Sequence, residues 1–366
     1  MGRMNPDPTS PVRPAPAAAA RLPVALIGGG QIGRMHAERA VAHPDVRFCG
    51  VADPSPATRD WAAAYGIPWF ADAASLLDAT KPGAALVATP NALHRDAALA
   101  CIDRGVPVLV EKPIADTVEA GLDIVRAAAR AGVPVLTGHH RRHNPIAREA
   151  QRLVQAGVLG RPVAASALAT WLKPGPYFDA AWRREKGGGP VLINLIHDVD
   201  LLRFLLGDVV SVQAQASNAV RGFAVEDTAA AVMRFANGAL ATLLTTDTAA
   251  APWNWDLAAG EAGHYPRQDI DAHHLMGTEG SLTLPRLEVW RYPGARGWHE
   301  PLSVSRAVPH TGDPYTEQLR HLRAVAEGRE VPRCSGLDGL RTLQATLAVL
   351  ESAKTGAPVA LAPLEV

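Results

Sequence analysis

The sequence predicts an α/β unit with a doubly wound parallel sheet over residues 21–143. An α+β unit with a mostly antiparallel sheet follows over residues 144–366. Three observations carry this. Short all-apolar runs alternate with helix-period segments from Leu22 to Thr137, the pattern of strand–helix–strand crossovers. After His143 the runs alternate apolar with polar residues and are joined by tight-turn residues. The chain has 366 residues, and single cores stop growing at about 250–300.

The elements follow in order. Pro23-Val24-Ala25-Leu26-Ile27 is an apolar run of the kind buried on both faces of a sheet. Gly28-Gly29-Gly30-Gln31-Ile32-Gly33 comes next, then a helical pattern from Arg34 to about Ala42. Val46–Ala52 is a second strand, ending at Asp53-Pro54. Ala84–Ala88 and Val106–Val110 are strands, Ala92–Arg104 and Asp116–Ala131 are helices, and Val133–Thr137 closes the series. Beyond His143 come a helix at Ile146–Ala156 and a strand at Pro162–Ala169. Gly187-Gly188-Gly189 opens a helix expected from Pro190 to Leu206. Val209–Ser217, Ala229–Phe235 and Ala239–Thr246 alternate in polarity, the last two joined by the hairpin signal Asn237-Gly238. Asp313-Pro314 starts a late helix, and Ser335–Ala353 is a final amphipathic one. No internal repeat is present.

Composition narrows the function classes. The 36 basic and 36 acidic residues cancel, which argues against a global electrostatic grip on nucleic acid or an anionic membrane. Cys49, Cys101 and Cys334 are scattered and odd in number, which excludes a disulfide scaffold and a CxxC zinc or redox site. A reducing, cytoplasmic compartment is expected. No uninterrupted apolar run approaches the ~20 residues of a membrane span. Residues 1–20, rich in Pro and Ala, lack a long apolar export core and are expected to form a disordered tail.

Gly28-x-Gly30-x-x-Gly33 lies directly between a strand and a helix. There Gly28 permits a tight turn, Gly30 a close approach of backbone to a pyrophosphate, and Gly33 close helix–strand packing. Gln31 and Ile32 begin a helix whose free N–H groups favour phosphate. Asp53 ends the second strand, where a carboxylate accepts hydrogen bonds from a ribose diol and repels a 2′-phosphate. NAD is therefore expected, in preference to NADP.

Glu111-Lys112-Pro113 ends the strand Val106–Val110, at the sheet edge where ligands bind in such folds. An ammonium there is suited to holding a substrate oxygen and carrying a proton, although a solvated lysine in a turn is the plainer alternative. Asn194, His197 and Asp200, spaced i, i+3, i+6 in an apolar segment, are expected to line one side of a helix. His197 suits a general base, with a hydrogen-bonded core histidine as the alternative. Gly138-His139-His140-Arg141-Arg142-His143-Asn144-Pro145 is the most cationic stretch. Arg141 and Arg142 either hold a substrate oxygen or form salt bridges between the two units. No metal is expected, because the three histidines lack a Cys or carboxylate neighbour. Trp171–Lys186, containing Tyr177, and the aromatics Trp253, Trp255, His264 and Tyr265 either border a pocket or pack in a core or subunit interface.

Taken in order, the glycine motif with Met35-His36, Ala88-Thr89-Pro90-Asn91 with His94, Glu111-Lys112-Pro113, and Gly187-Gly188-Gly189 with His197 and Asp200 resemble the Gfo/Idh/MocA oxidoreductase family. The resemblance spans about Leu22 to Ala362. It implies a Rossmann domain followed by an open-faced sheet that commonly forms subunit contacts, hence a homodimer or homotetramer. It implies NAD(P)-dependent hydride transfer at a hydroxyl-bearing carbon of a small-molecule sugar or polyol. Lys112 and His197 are the implied catalytic pair. Thr89, Pro90, Asn91 and His94 are implied to line the nicotinamide side. Many members carry an aspartate four residues before the histidine; this chain has Ile193. Asn194, Asp198, Asp200 and Tyr177 are the candidates to replace it. The resemblance also accommodates a cis-dihydrodiol dehydrogenase, an NAD-dependent glycosidase and a non-catalytic ligand-sensing regulator.

Overall fold

The computed structural model describes residues 20–366, so the tail expected at 1–20 lies outside the described residues except for Ala20. The N-terminal part alternates β1 (Leu22–Ile27), α1 (Gln31–Ala42), β2 (Val46–Ala52), α2 (Pro56–Ala64), β3 (Trp69–Phe70), α3 (Ala73–Thr80), β4 (Ala84–Val87), α4 (His94–Ile102), β5 (Val108–Val110), α5 (Val118–Ala131) and β6 (Val135–Thr137). The strands form a six-stranded, all-parallel sheet in the order β3-β2-β1-β4-β5-β6. The chain order reverses between β1 and β4, which opens a crevice at their carboxyl ends. The short apolar strands are buried because helices cover both faces. Val24, Leu26, Leu86 and Leu109 pack on one face, and Ala25, Ile27, Val87 and Val110 on the other.

The rest of the chain contributes α6 (Pro145–Gln155), β7 (Pro162–Thr170), α7 (Ile196–Leu206), β8 (Val209–Ser217), β9 (Thr228–Phe235), β10 (Leu240–Thr246) and α8 (Trp255–Ala259). After them come β11 (His273–Gly277), β12 (Ser281–Leu284), β13 (Glu288–Arg291), β14 (Ser303–Arg306), α9 (Pro314–Ala326), α10 (Gly336–Thr355) and β15 (Val359–Ala360). Nine strands form a second sheet, ordered β14-β13-β12-β11-β7-β10-β9-β8-β15, antiparallel everywhere except between β7 and β10. The predicted division into a parallel and a mostly antiparallel sheet is what the chain adopts. Asn237-Gly238 makes the β9–β10 hairpin, with Gly238 at φ +90°. On β9 and β10, Ala231, Met233, Ala241 and Leu243 point inward beneath α6 and α7, while Val232, Leu240 and Leu244 are exposed on the other face.

The last two long helices return to the first sheet. Leu319, Leu322 and Val325 of α9 pack with Leu22, Val24 and Leu136. Leu340 and Leu343 of α10 join Ile114, Ile124 and Val135, whereas Ala345, Ala348 and Val349 of the same helix join the core of the second sheet. One helix thus carries apolar contacts to both sheets.

The helix expected from Pro190 is modified. Val191–Leu195 forms a wide π-type turn, and α7 proper begins at Ile196. Asn194, His197 and Asp200 do not share one side. Successive residues turn by about 100°, so a six-residue step leaves Asp200 roughly 120° away from Asn194. Asn194 and His197 remain partly accessible, and Asp200 is fully buried.

Candidate active site

The glycine motif makes the turn between β1 and α1. Gly28 has φ +100°, and a Cβ there would lie 2.6 Å from the Ala88 backbone. A Cβ on Gly33 would meet the Gly28 carbonyl oxygen at 2.0 Å, so helix and turn pack at a distance only glycine permits. A Cβ on Gly30 would meet no heavy atom within 4 Å; it points into open space. Gly30 is also the N-cap of α1, with no side-chain cap and no acidic residue in the first turn. The helix N-terminus is thus free to receive an anion. Gln31 and Ile32 open the helix in exposed positions. Asp53 lies beside this turn, its carboxylate accepting from Gly29 N at 2.7 Å and Ser55 N at 2.8 Å. An open glycine, an uncapped helix end and an adjacent carboxylate are the features an NAD pyrophosphate and ribose require.

Loops after β4 and β5 form the next wall. His94 is buried, with one ring nitrogen 2.8 Å from the Pro113 carbonyl oxygen and the other 2.9 Å from that of Thr89. It ties the Thr89-Pro90-Asn91 loop to the Glu111-Lys112-Pro113 loop, so its ring is occupied inside the wall. Burial lowers its pKa despite both carbonyl contacts. Glu111 faces inward and meets His36 Nε2 at 2.7 Å. Burial would raise this carboxyl, but His36 and neighbouring cations hold it at about 2.

Lys112 Nζ donates to the Ile193 carbonyl oxygen at 3.1 Å, and burial pulls the ammonium below its ordinary range. The π-type turn brings that carbonyl to the lysine; such turns recur at functional sites. His197 follows four residues later. Its ring packs edge-on against His140 at 5.2 Å and lies 6.4 Å from His139. His197 Nδ1 is enclosed with no hydrogen-bond partner. Burial, then the charges of Lys112 and Arg141, keep the imidazole neutral well below its usual pKa.

The remaining sequence candidates are placed as follows. Arg141 donates to Asp198 at 2.9 Å, and His273 Nε2 lies 2.9 Å from the same oxygen. Arg142 grips Asp200 with two bonds of 2.9 and 2.8 Å, and Thr342 of α10 donates to Asp200 at 2.8 Å. All four charged groups are buried, bonded to one another or to helices of the interior. Asn194 Oδ1 accepts from Lys173 Nζ at 2.7 Å. The Tyr177 ring lies under Lys173 and Arg183, 4.6 and 3.9 Å from their charged atoms. Burial lowers Lys173 to about 8.

Other residues complete the site, and of these Tyr315, Asp256 and Glu261 are not singled out by the sequence. His140 Nε2 meets Glu261 at 2.8 Å and stacks on Tyr315 of α9, centroids 4.5 Å apart. Asp256, in the first turn of α8, approaches Arg141 at 3.6 Å. Asp256 and Glu261 lie between β10 and β11, with no periodicity to mark them; the only local signal is Asn254 as a helix cap. Among the described residues no group of three His, Cys, Asp or Glu side chains is arranged to hold a metal ion.

A parallel sheet with an open glycine turn and an adjacent carboxylate at its carboxyl edge fits a nicotinamide-dependent oxidoreductase. Comparison with known proteins agrees. Residues 22–139 match the oxidoreductase family with an NAD-binding Rossmann fold, and residues 147–283 match the GFO/IDH/MocA C-terminal domain. The chain belongs to the Gfo/Idh/MocA oxidoreductase family. It is 32% identical over 278 residues to 1,5-anhydro-D-fructose reductase of Ensifer adhaerens, covering 75% of this chain and 78% of that protein. It is 29% identical over 359 residues to inositol 2-dehydrogenase 2 of Saccharopolyspora erythraea, covering 93% and 96%. The fold is shared with the WlbA dehydrogenase of Bordetella pertussis, solved with NADH and UDP-GlcNAcA. That likeness has a TM-score of 0.76 and 24% identity, covering 94% of this chain and 100% of that one.

Proposed function

We propose that the protein is an NAD-dependent dehydrogenase acting at a carbinol carbon of a sugar, polyol or related cyclic alcohol, with Lys112 and His197 as its acid/base groups. The observation that carries this is the meeting of the Lys112 ammonium with the Ile193 carbonyl, beside His197 and at the carboxyl edge of the parallel sheet. The names of the relatives, a sugar-derived ketone reductase and inositol dehydrogenases, support the substrate class.

NAD⁺, when bound, supplies a hydride acceptor. Gly28, Gly30 and the α1 N-terminus would hold its pyrophosphate and Asp53 its ribose, which favours NAD over NADP. Lys112 Nζ, steadied by the Ile193 carbonyl, donates to the substrate hydroxyl oxygen and orients the carbinol. His197, neutral at working pH, takes the hydroxyl proton on Nε2. The cations around His197 favour prompt loss of that proton to solvent.

We also infer cytoplasmic residence, in keeping with three free buried cysteines, and a homodimer or homotetramer. The exposed Val163, Val232, Leu240 and Leu244 on the outer face of the second sheet support assembly through that face. No helix among the described residues is long and apolar enough to cross a membrane.

The test is absorbance at 340 nm with NAD⁺ and a panel of inositols, aldoses and cis-dihydrodiols. Turnover of at least one polyol or sugar is expected, and Lys112→Met is expected to lower kcat/KM by about 10²–10⁴-fold while NAD⁺ still binds. NAD⁺ binding with no turnover of any panel member would point to a ligand sensor instead.

A further inference from the structure

The site has no side-chain carboxylate at Ile193, yet five carboxylates stand around Lys112, His140, Arg141 and Arg142. Four are committed elsewhere. Glu111 is bonded to His36, Asp198 to Arg141 and His273, and Asp200 to Arg142 and Thr342. Glu261 meets His140 and accepts from Asn144 and Trp255. Their side chains are 1–11% exposed. Asp256 differs on both counts. Among the described residues it makes no hydrogen bond, its nearest cation is Arg141 at 3.6 Å, and its side chain is 27% exposed.

Its support is rigid. Asn254 caps α8 by accepting from Leu257 N at 2.9 Å, and its amide donates to the Thr170 carbonyl oxygen of β7 at 3.0 Å. Trp255 is fully buried beneath Arg141. Asp256 therefore offers an accessible, unbonded carboxylate from a fixed backbone, and its charge bears on Lys112.

We propose that Asp256 is the substrate-contacting carboxylate of this site, accepting a hydrogen bond from a hydroxyl next to the reacting carbon and offsetting the charge of Lys112. The proposal rests on the polyol reading above and adds a specificity residue to it. A carboxylate acceptor selects substrates with a vicinal diol over simple alcohols. Partial burial, with help from the charge of Glu261, raises the Asp256 pKa despite Arg141, consistent with a carboxylate that lacks a hydrogen-bond donor until substrate arrives.

The experiment has two readouts. The first is competitive acetylation of Lys112 against pH in the cofactor-free protein, followed by peptide mass spectrometry. The groups bearing on Lys112 are Glu111, Arg141 and Asp256, with His197, His139 and Lys173 sensing it in turn. Removing one negative charge with Asp256→Asn is expected to lower the labelling midpoint by about half a unit or more. The second is steady-state oxidation of myo-inositol. Asp256→Asn is expected to lower kcat/KM by about 10²-fold, mainly through KM, and Asp256→Glu to recover about tenfold of it. An unchanged labelling midpoint overturns the proposal, as does Asp256→Asn kinetics matching an active wild type. Failure of the polyol reading looks different: wild type turns over nothing on the panel while the labelling midpoint still reports on Asp256.

Discussion

The ammonium of Lys112 donates to the main-chain oxygen of Ile193, the residue at which a family resemblance leads one to look for a carboxylate. A carbonyl orients an ammonium but neither carries nor releases a proton. The proposed acid/base work is therefore left to side chains, and the wide turn at Val191–Leu195 carries the carbonyl that meets the lysine.

Gly30 and Gly33 are expected to fail in different ways. Gly30→Ala adds a methyl where no protein atom lies within 4 Å, so thermal stability should stay close to wild type while NAD⁺ affinity falls about tenfold or more. Gly33→Ala drives a methyl to 2.0 Å from the Gly28 carbonyl oxygen and should lower both stability and affinity. Fluorescence titration with NADH beside thermal melts separates the two; equal effects from both variants would contradict the assignment.

Asp53 holds the Gly29 and Ser55 amides and is the charge proposed to face the ribose. Asp53→Ser should weaken NAD⁺ and strengthen NADP⁺, shifting the ratio of dissociation constants by about tenfold or more toward NADP⁺. A ratio that does not move would remove the discriminating role.

Asp200 is wholly buried and depends on the two-bonded grip of Arg142. Arg142→Met strands that carboxylate beside Thr342 and should cost about 3–5 kcal/mol in urea unfolding. The double variant Arg142→Met/Asp200→Leu should regain much of the loss, since it removes the uncompensated charge. A single variant within about 1 kcal/mol of wild type would show that the pair is not structural.

Stability should fall on acidification in two windows that share one sign. His139 is held at about 4 in the fold by burial, against a model-peptide value near 6.5. Between those values the unfolded chain binds a proton that the native chain refuses, so stability declines as pH drops from 6.5 toward 4. Glu111 and Glu261 sit at about 2 against 4.5 and extend the decline below pH 4.5. Thermal melts from pH 8 to pH 4 should show the descent beginning near 6.5, with His139→Asn removing part of the upper-window slope, which His94 and His197 share. A flat profile between 6.5 and 4.5 would contradict the buried neutral histidine.

Sequence patterning made the parallel sheet, the glycine turn and the carboxylate beside it readable, because each rests on local physics: apolar runs, left-handed backbone and strand ends. Lys112 was readable for the same reason, standing at the end of an apolar strand. Asp200, Arg141 and Arg142 were visible as charges in apolar or cationic stretches, but their mutual pairing depends on helix rotation and packing. Asp256 and Glu261 carried no signal beyond the Asn254 cap, since a short helix and loop between two strands bring them to the site through tertiary folding alone. The turn at Ile193 was likewise hidden, because helix periodicity does not distinguish an α from a π register over five residues.

Helix α10 has a consequence for how the molecule is made. Its Leu340 and Leu343 complete one face of the first sheet, and Ser335 bridges Leu136 on the last strand of that sheet. On a ribosome, the nucleotide-binding strands emerge first and wait, one oily flank uncovered, for a segment roughly two hundred residues behind them. A nascent chain cut short before α10 should therefore be a good client for chaperones, and the cofactor pocket becomes durable only once α10 has been made.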